Sequence, residues 1–216
     1  MRIFREVSLA DSLTVLNALF GFSAIAYAIH DFEKSFALFY LALISDGLDG
    51  WIASKTEKSR IGKELDSLAD SISFGIFPAV AMIVYNISLF AFSSLFLAFS
   101  ILRLARFNIL SLEGFLGIPT SVSAIAITSL VRIQQPFEVI ATTSVILSIL
   151  MISDLNYPRL KGVYLTIPGI FLLLAIFYLE FCYLLLLSVI IYTLYPVVDL
   201  WKKRLIKGQL QVLKRE

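Results

Sequence analysis

The chain has 216 residues, of which 59% are hydrophobic and 16% charged, with a formal net charge of +2 and a mean hydropathy of +0.88. A water-soluble domain of this size has nowhere to hide so much apolar surface, so a soluble globular protein is excluded, and no nucleic-acid signature is present. The single cysteine, Cys182, excludes an internal disulfide and a thiolate metal cluster.

In chain order, the opening MRIFREVSLADS is basic and then polar. It lacks the apolar stretch and small-residue cleavage site of a secretory signal, so the first span is expected to be retained and residues 1–10 to form an interfacial segment. Apolar windows follow at about 11–30, 35–54, 66–84, 87–108, 118–132, 136–153, 163–179 and 181–200, most of them near the roughly 20 residues that a bilayer core demands. The expected fold is all-α, a polytopic membrane bundle of about eight transmembrane helices. Residues 1–216 are expected to form one domain, with no room among them for a separate soluble one. Asn17 is polar within the first window, which suits an interhelical hydrogen bond or a ligand contact. His30 closes that window beside Asp31 and near Glu33, and reads as an interfacial histidine.

The fifth and sixth windows flank Gln134, Gln135 and Pro136, and could be one bent helix rather than two spans. Charge decides between the two. With eight spans and an inside N-terminus, Arg2 and Arg5, Lys55, Lys58, Arg60 and Lys63, Arg103 and Arg106, Arg159 and Lys161, and the tail from Lys202 to Arg215 all fall inside. Of the 18 Lys and Arg, only Lys34 and Arg132 lie outside, as the positive-inside rule requires. Both termini are therefore expected on the cytoplasmic side. The basic tail, residues 202–216, interleaves Leu205, Ile206, Leu210, Val212 and Leu213 with its cations. That pattern suits anionic lipid headgroups and equally a frayed topology anchor.

Ionisable groups inside a membrane are costly, and here four of them fall in phase. Asp46, Asp49, Gly50 and Ala53 share one face at the end of the second window. Gly62, Asp66 and Asp70, spaced by four, share a face of the third. The short loop between them forces the two helices to be antiparallel neighbours. Four carboxylates gathered in low dielectric repel one another, and only cations can offset this. Hard oxygen donors without His or Cys select Mg²⁺ or Mn²⁺, with Ca²⁺ the other hard ion, over zinc. Gly50, Gly62 and the small Ala53 clear a groove beside the carboxylates, which suits a pyrophosphate whose leaving phosphate the metal neutralises. A cation transporter is the remote alternative, but it would place such groups near the midplane on broken or repeated helices, whereas here they cluster at one surface with no repeat.

The run Asp46, Gly47, Leu48, Asp49, Gly50, two residues, Ala53, then Gly62, three residues, Asp66, three residues, Asp70 resembles the signature of the CDP-alcohol phosphatidyltransferases. Two departures stand out. Ser54 occupies the place of the family's arginine, with Lys55, Lys58 and Arg60 as the neighbouring cations, and the gap to Gly62 is one residue short. The segments LNALFGFSAI, GKELDSLADSISFG, LRLARFN, GIPTS and MISDLNYP are similar to the type II phosphatidylserine synthases and their archaetidylserine counterparts. These segments reach from the first to the sixth window; the last two windows match only in being hydrophobic.

This resemblance implies that a serine hydroxyl attacks the lipid-side phosphorus of a CDP-linked lipid, with CMP leaving. It implies a cell-membrane enzyme with a cytoplasmic active site that works as a homodimer. Asp46, Asp49 and Asp66 would hold metal and the CDP pyrophosphate, and Asp70 would ligate metal and act as general base. Asn17, Gly50, Ala53 and Gly62 join the candidate CDP-lipid site. A hydroxyl needs such a base at neutral pH, so the residue chemistry agrees. Arg103 and Arg106, three apart on the fourth helix, are candidates for the serine carboxylate or a lipid phosphate. Thr120 and Ser121 follow Pro119 at a helix start and could aim N–H groups at an anion, or simply cap the helix. An acceptor such as glycerol phosphate or inositol phosphate is the alternative. It would need several cations for its dianion, and the interior offers few beyond the two arginines.

Overall fold

The computed structural model describes residues 7–55, 60–109, 115–158 and 163–213, with side chains left out at Phe115, 163–165, 197 and 199–213. Arg2, Arg5, Lys58, Arg159 and Lys161 lie outside the described residues, as do the side chains of the basic tail.

The first helix, α1 (Leu9–Tyr27), starts on a capping box: Ser8 Oγ accepts from the Asp11 N–H at 3.2 Å and the Ser8 N–H donates to Asp11 Oδ2 at 2.7 Å. The second, α2 (Phe32–Ala53), is capped by Asp31, which accepts from the Lys34 N–H. A third rod, Gly62–Tyr85, is continuous but not uniform. It comprises α3 (Gly62–Asp70), a π-helical stretch (Ser71–Ile76) and α4 (Phe77–Tyr85). The sequence pattern placed its start four residues later and gave no sign of the π-helical stretch. Beyond Asn86 and a short 3₁₀ turn comes α5 (Phe90–Ile109).

Then follow β1 (Phe115–Leu116), α6 (Thr120–Arg132), α7 (Phe137–Ile152), β2 (Asn156–Tyr157), α8 (Val163–Ala175) and α9 (Phe181–Leu213). The break at Gln134 is real, because Gln134 takes a left-handed φ of 55° and Pro136 opens α7. Two features depart from expectation. Two-residue β1 and β2 pair antiparallel, Phe115 with Tyr157 and Leu116 with Asn156, within an otherwise helical bundle. And α9 runs on through Pro196 to Leu213, so the tail continues a helix instead of fraying.

Four helices, Leu9–Tyr27, Phe32–Ala53, Gly62–Tyr85 and Ile87–Ile109, are long and apolar enough to cross a bilayer, and four apolar helices are shorter. The bundle is apolar on the outside and studded with hydroxyls within. Leu19 and Phe22 on α1, Leu102 on α5 and Ile191 on α9 are exposed, whereas Thr14, Ser100, Thr128, Ser144 and Ser148 are buried. Most of those hydroxyls donate to the carbonyl one turn back, as Ser100 does to Phe96 and Thr128 to Ala124. That distribution suits a lipid surround, where apolar residues need not be hidden and polar ones must be satisfied internally.

Two ends of the bundle are tied differently. At one end the buried Arg132 pairs with Glu33 at 2.8 Å, donates to the Ala175 carbonyl at 2.5 Å and lies over the Phe36 and Tyr40 rings, joining α6, α2 and α8. Cys182 packs there against the Tyr40 hydroxyl at 3.4 Å, with Arg132 Nη1 at 4.0 Å from its sulfur. Between the ends, Phe36, Phe39, Phe74 and Phe77 form the aromatic core, with Phe39 and Phe77 stacked at 5.1 Å. The other end gathers the start of α1, the end of α2, the start of α3 and the end of α5, and there the carboxylates lie.

Candidate functional site

Helical phase on α2 and α3 does what the spacing implies. Carboxylate oxygens of Asp46, Asp49 and Asp66 converge within 4.8 Å of one another. Asp49 is buried, and Asp46 and Asp66 are half-buried. Three oxygen donors at this separation, with no nitrogen or sulfur among them, fit a hard divalent ion. Asp70 lies one turn deeper along α3, its side chain against that of Asp46. It is not one of the converging three.

The first helix holds two of these carboxylates. Thr14 Oγ1 lies 2.6 Å from Asp49 Oδ2, and Asn17 Nδ2 lies 3.2 Å from Asp70 Oδ1. Helix α1 can come this close because Gly21 has no side chain: a Cβ there would sit 2.1 Å from Ser73 Oγ and 2.8 Å from Ser73 Cα. Ser73, on the π-helical stretch, donates to the Asn17 carbonyl at 2.9 Å. Thr14 and the Gly21–Ser73 contact were not singled out from the sequence. The signal was there, since Thr14, Asn17 and Gly21 stand at i, i+3 and i+7 on one face of an apolar helix.

Gly50 is exposed beside the carboxylates, and a Cβ added to it would meet nothing within 4 Å. Among the described residues, space is therefore open above the end of α2. Ala53 ends that helix half-buried, and Gly62 opens α3. Ser54 donates to the Trp51 carbonyl at 2.6 Å, while Lys55 Nζ sits over the Trp51 ring at 3.7 Å, so both turn back onto α2. Lys63 and Ser67 bind Asn108 on α5, at 2.6 Å to its carbonyl and 2.9 Å to its side chain, closing the site against the fourth span.

The two arginines of α5 part company. Arg103 is buried with Asp66, Asp70 and Tyr192 within electrostatic reach, and its guanidinium lies 5.4 Å from the Phe107 ring centroid. Arg106 points away from the cluster. Its terminal nitrogens donate to the carbonyls of Leu116, Met151, Ile152 and Ser153 and contact Asp154 at 3.4 Å. Arg106 acts here as a clamp, its terminal N–H groups directed at backbone oxygens. It fastens the end of α7 to β1. Gly117 completes that clamp at φ +75°, where a Cβ would meet the Met151 carbonyl at 2.1 Å.

Beyond the clamp, Thr120 is fully buried at the start of α6 with its hydroxyl unpartnered, and Ser121 beside it is half-buried. Tyr157 stacks on Tyr192 at 5.4 Å, and its buried hydroxyl also has no partner. Burial pushes that phenol above its ordinary range. His30 is exposed in the turn after α1, far along the chain's fold from the carboxylates.

Residues 7–174 match the family model described as CDP-alcohol phosphatidyltransferase. The chain belongs to that family. It is similar to a protein of Methanocaldococcus jannaschii named CDP-diacylglycerol–serine O-phosphatidyltransferase, 33% identical over 201 residues, covering 91% of this chain and 96% of that one. An archaetidylserine synthase of Methanothermobacter thermautotrophicus is 37% identical over 172 residues, 74% of each chain. A Helicobacter pylori protein, also named CDP-diacylglycerol–serine O-phosphatidyltransferase, is 33% identical over 183 residues. As a CDP-alcohol phosphatidyltransferase, the chain carries its converging aspartates where two membrane helices end side by side, with open space above Gly50.

Proposed function

We propose that this CDP-alcohol phosphatidyltransferase transfers a phosphatidyl or archaetidyl group from a CDP-linked lipid to the hydroxyl of L-serine. The observation that carries the reading is the convergence of Asp46, Asp49 and Asp66 beside open space, with Asp70 next to them. The serine-specific names of the similar proteins support the acceptor.

Asp46, Asp49 and Asp66 would hold a divalent cation, Mg²⁺ or Mn²⁺, which supplies neutralisation of the pyrophosphate charge. Gly50, Ala53 and Gly62 leave room for the nucleotide to lie along the helix ends. In the reaction a bond forms between the serine oxygen and the lipid-side phosphorus. The bond from that phosphorus to the bridging oxygen breaks, and CMP leaves with the electron pair. Asp70 takes the hydroxyl proton, a role its place beside the cluster allows. Arg103, buried near Asp66 and Asp70, offers the planar fork that pairs with a carboxylate, and Thr120 and Ser121 stand at the neighbouring helix start. Resemblance to the family further supports a homodimer in the cell membrane with this site on the cytoplasmic side.

The deciding experiment incubates purified protein with a CDP-lipid and serine, and reads the lipid products by mass spectrometry together with released CMP. A serine-headed lipid is expected. Product from glycerol phosphate or inositol phosphate but not from serine would overturn the acceptor and keep the transferase.

Arg103→Lys keeps the charge but loses the fork, so the KM for serine is expected to rise about tenfold with the KM for the CDP-lipid little changed. Arg106→Lys is expected to lower the melting temperature and leave the serine KM alone. Orientation is open to labelling in a Cys182→Ser background. A cysteine at Arg60 is expected to react only from the cytoplasmic side and one at Gln135 only from the other; the reverse pattern would overturn the assigned side.

A further inference from the structure

The sequence did not single out Thr14, yet that residue brings α1 into short polar contact with the cluster. Thr14 Oγ1 is 2.6 Å from Asp49 Oδ2, and the same hydroxyl lies 3.1 Å from the Ala10 carbonyl. Thr14 is 4% exposed and Asn17 is fully buried. Their placement is fixed from outside the cluster, because the Gly21–Ser73 approach sets the distance of α1 and Ser73 holds the Asn17 carbonyl. A hydroxyl proton on Oδ2 leaves Oδ1 of Asp49 unclaimed by α1. An amide on Oδ1 of Asp70 likewise leaves its Oδ2 unclaimed by α1.

We infer that Thr14 and Asn17 are positioning residues, each holding one oxygen of a carboxylate so that the other is presented to the reaction site. A carboxylate on a flexible χ2 otherwise samples a broad, two-fold torsion. Outer partners that fix a ligand's orientation are commonly worth 10- to 100-fold in metal affinity or activity. Thr14 acts through Asp49, and therefore on cation affinity. Asn17 acts through Asp70, and therefore on turnover.

Resting on the cation-holding role proposed above for Asp49, the assignment is tested first without substrate, by titrating Mn²⁺ against purified protein and following free Mn²⁺ by electron paramagnetic resonance. Wild type is expected to bind, and Asp49→Ala to lose that binding. Thr14→Val, isosteric but without the hydroxyl, is expected to weaken Mn²⁺ about tenfold at an unchanged melting temperature, and Thr14→Ser to restore most of it. If wild type and Asp49→Ala take up Mn²⁺ alike, the cation site itself is wrong. If Asp49→Ala loses the ion but Thr14→Val binds as wild type does, or Thr14→Ser is as weak as Thr14→Val, the hydroxyl positions nothing. Asn17→Leu is expected to lower kcat about tenfold with Mn²⁺ affinity and both KM values kept. A raised KM for the CDP-lipid at full kcat would instead make Asn17 a nucleotide contact and overturn its part.

Discussion

Asp46→Ala, Asp49→Ala and Asp66→Ala are each expected to lower turnover by about 10²-fold or more and to weaken CDP-lipid binding in the same step. The three oxygens lie within 4.8 Å of one another, so each alanine removes one of three donors to a shared ion. Stability should move the other way. Two unit charges at that separation repel by about 3 kcal/mol at an effective dielectric of 20, so removing one carboxylate relieves the metal-free protein. A melting temperature that is unchanged or raised in EDTA, together with lost activity, is the expected signature. Ordinary structural damage would lower both. Full activity of the wild type in EDTA, with no divalent ion present, would overturn the assignment of these three residues to a metal.

Asp70→Asn is expected to cost turnover about 10²-fold or more while CDP-lipid binding survives better than in the three alanine variants. Asparagine keeps the shape and one oxygen, so the 3.2 Å contact from Asn17 can persist. What it loses is the capacity to take a proton from a hydroxyl. Asp70 also stands outside the converging group, which separates its loss from that of the metal ligands. Single-turnover measurements with saturating CDP-lipid and serine isolate the chemical step. If Asp70→Asn loses Mn²⁺ and CDP-lipid as fully as Asp66→Ala does, Asp70 serves only as a ligand and the base must be sought elsewhere.

Much of this was legible in the sequence because helical periodicity is a local rule. Asp46 and Asp49 at i and i+3, and Asp66 and Asp70 at i and i+4, had to face one way on their helices. The short connection between those helices left them nowhere to go but side by side. Apolar windows likewise gave the eight helical rods, and Gln134 to Pro136 gave the break between the fifth and sixth. The boundaries suffered where a rule is not local. Asp66 looked like the start of a span, but α3 already begins at Gly62. The last apolar window closed near residue 200, but α9 runs on to Leu213.

Only the tertiary structure could separate Arg103 from Arg106. At i and i+3 on α5 the two share a face by periodicity, and nothing local tells a guanidinium that faces the carboxylates from one that is filled by backbone carbonyls. The partners of Arg106 come from β1 and the end of α7, brought close by the two-residue pairing of β1 with β2 and by Gly117. The same holds for Thr14 and Ser73, which lie on separate helices and meet the site through the Gly21 contact. Composition and phase determined that there is a membrane bundle with an acidic site at one end. Which hydroxyls and amides aim those acids depends on contacts between residues 35 to 56 positions apart, and such contacts exist only once the helices have packed.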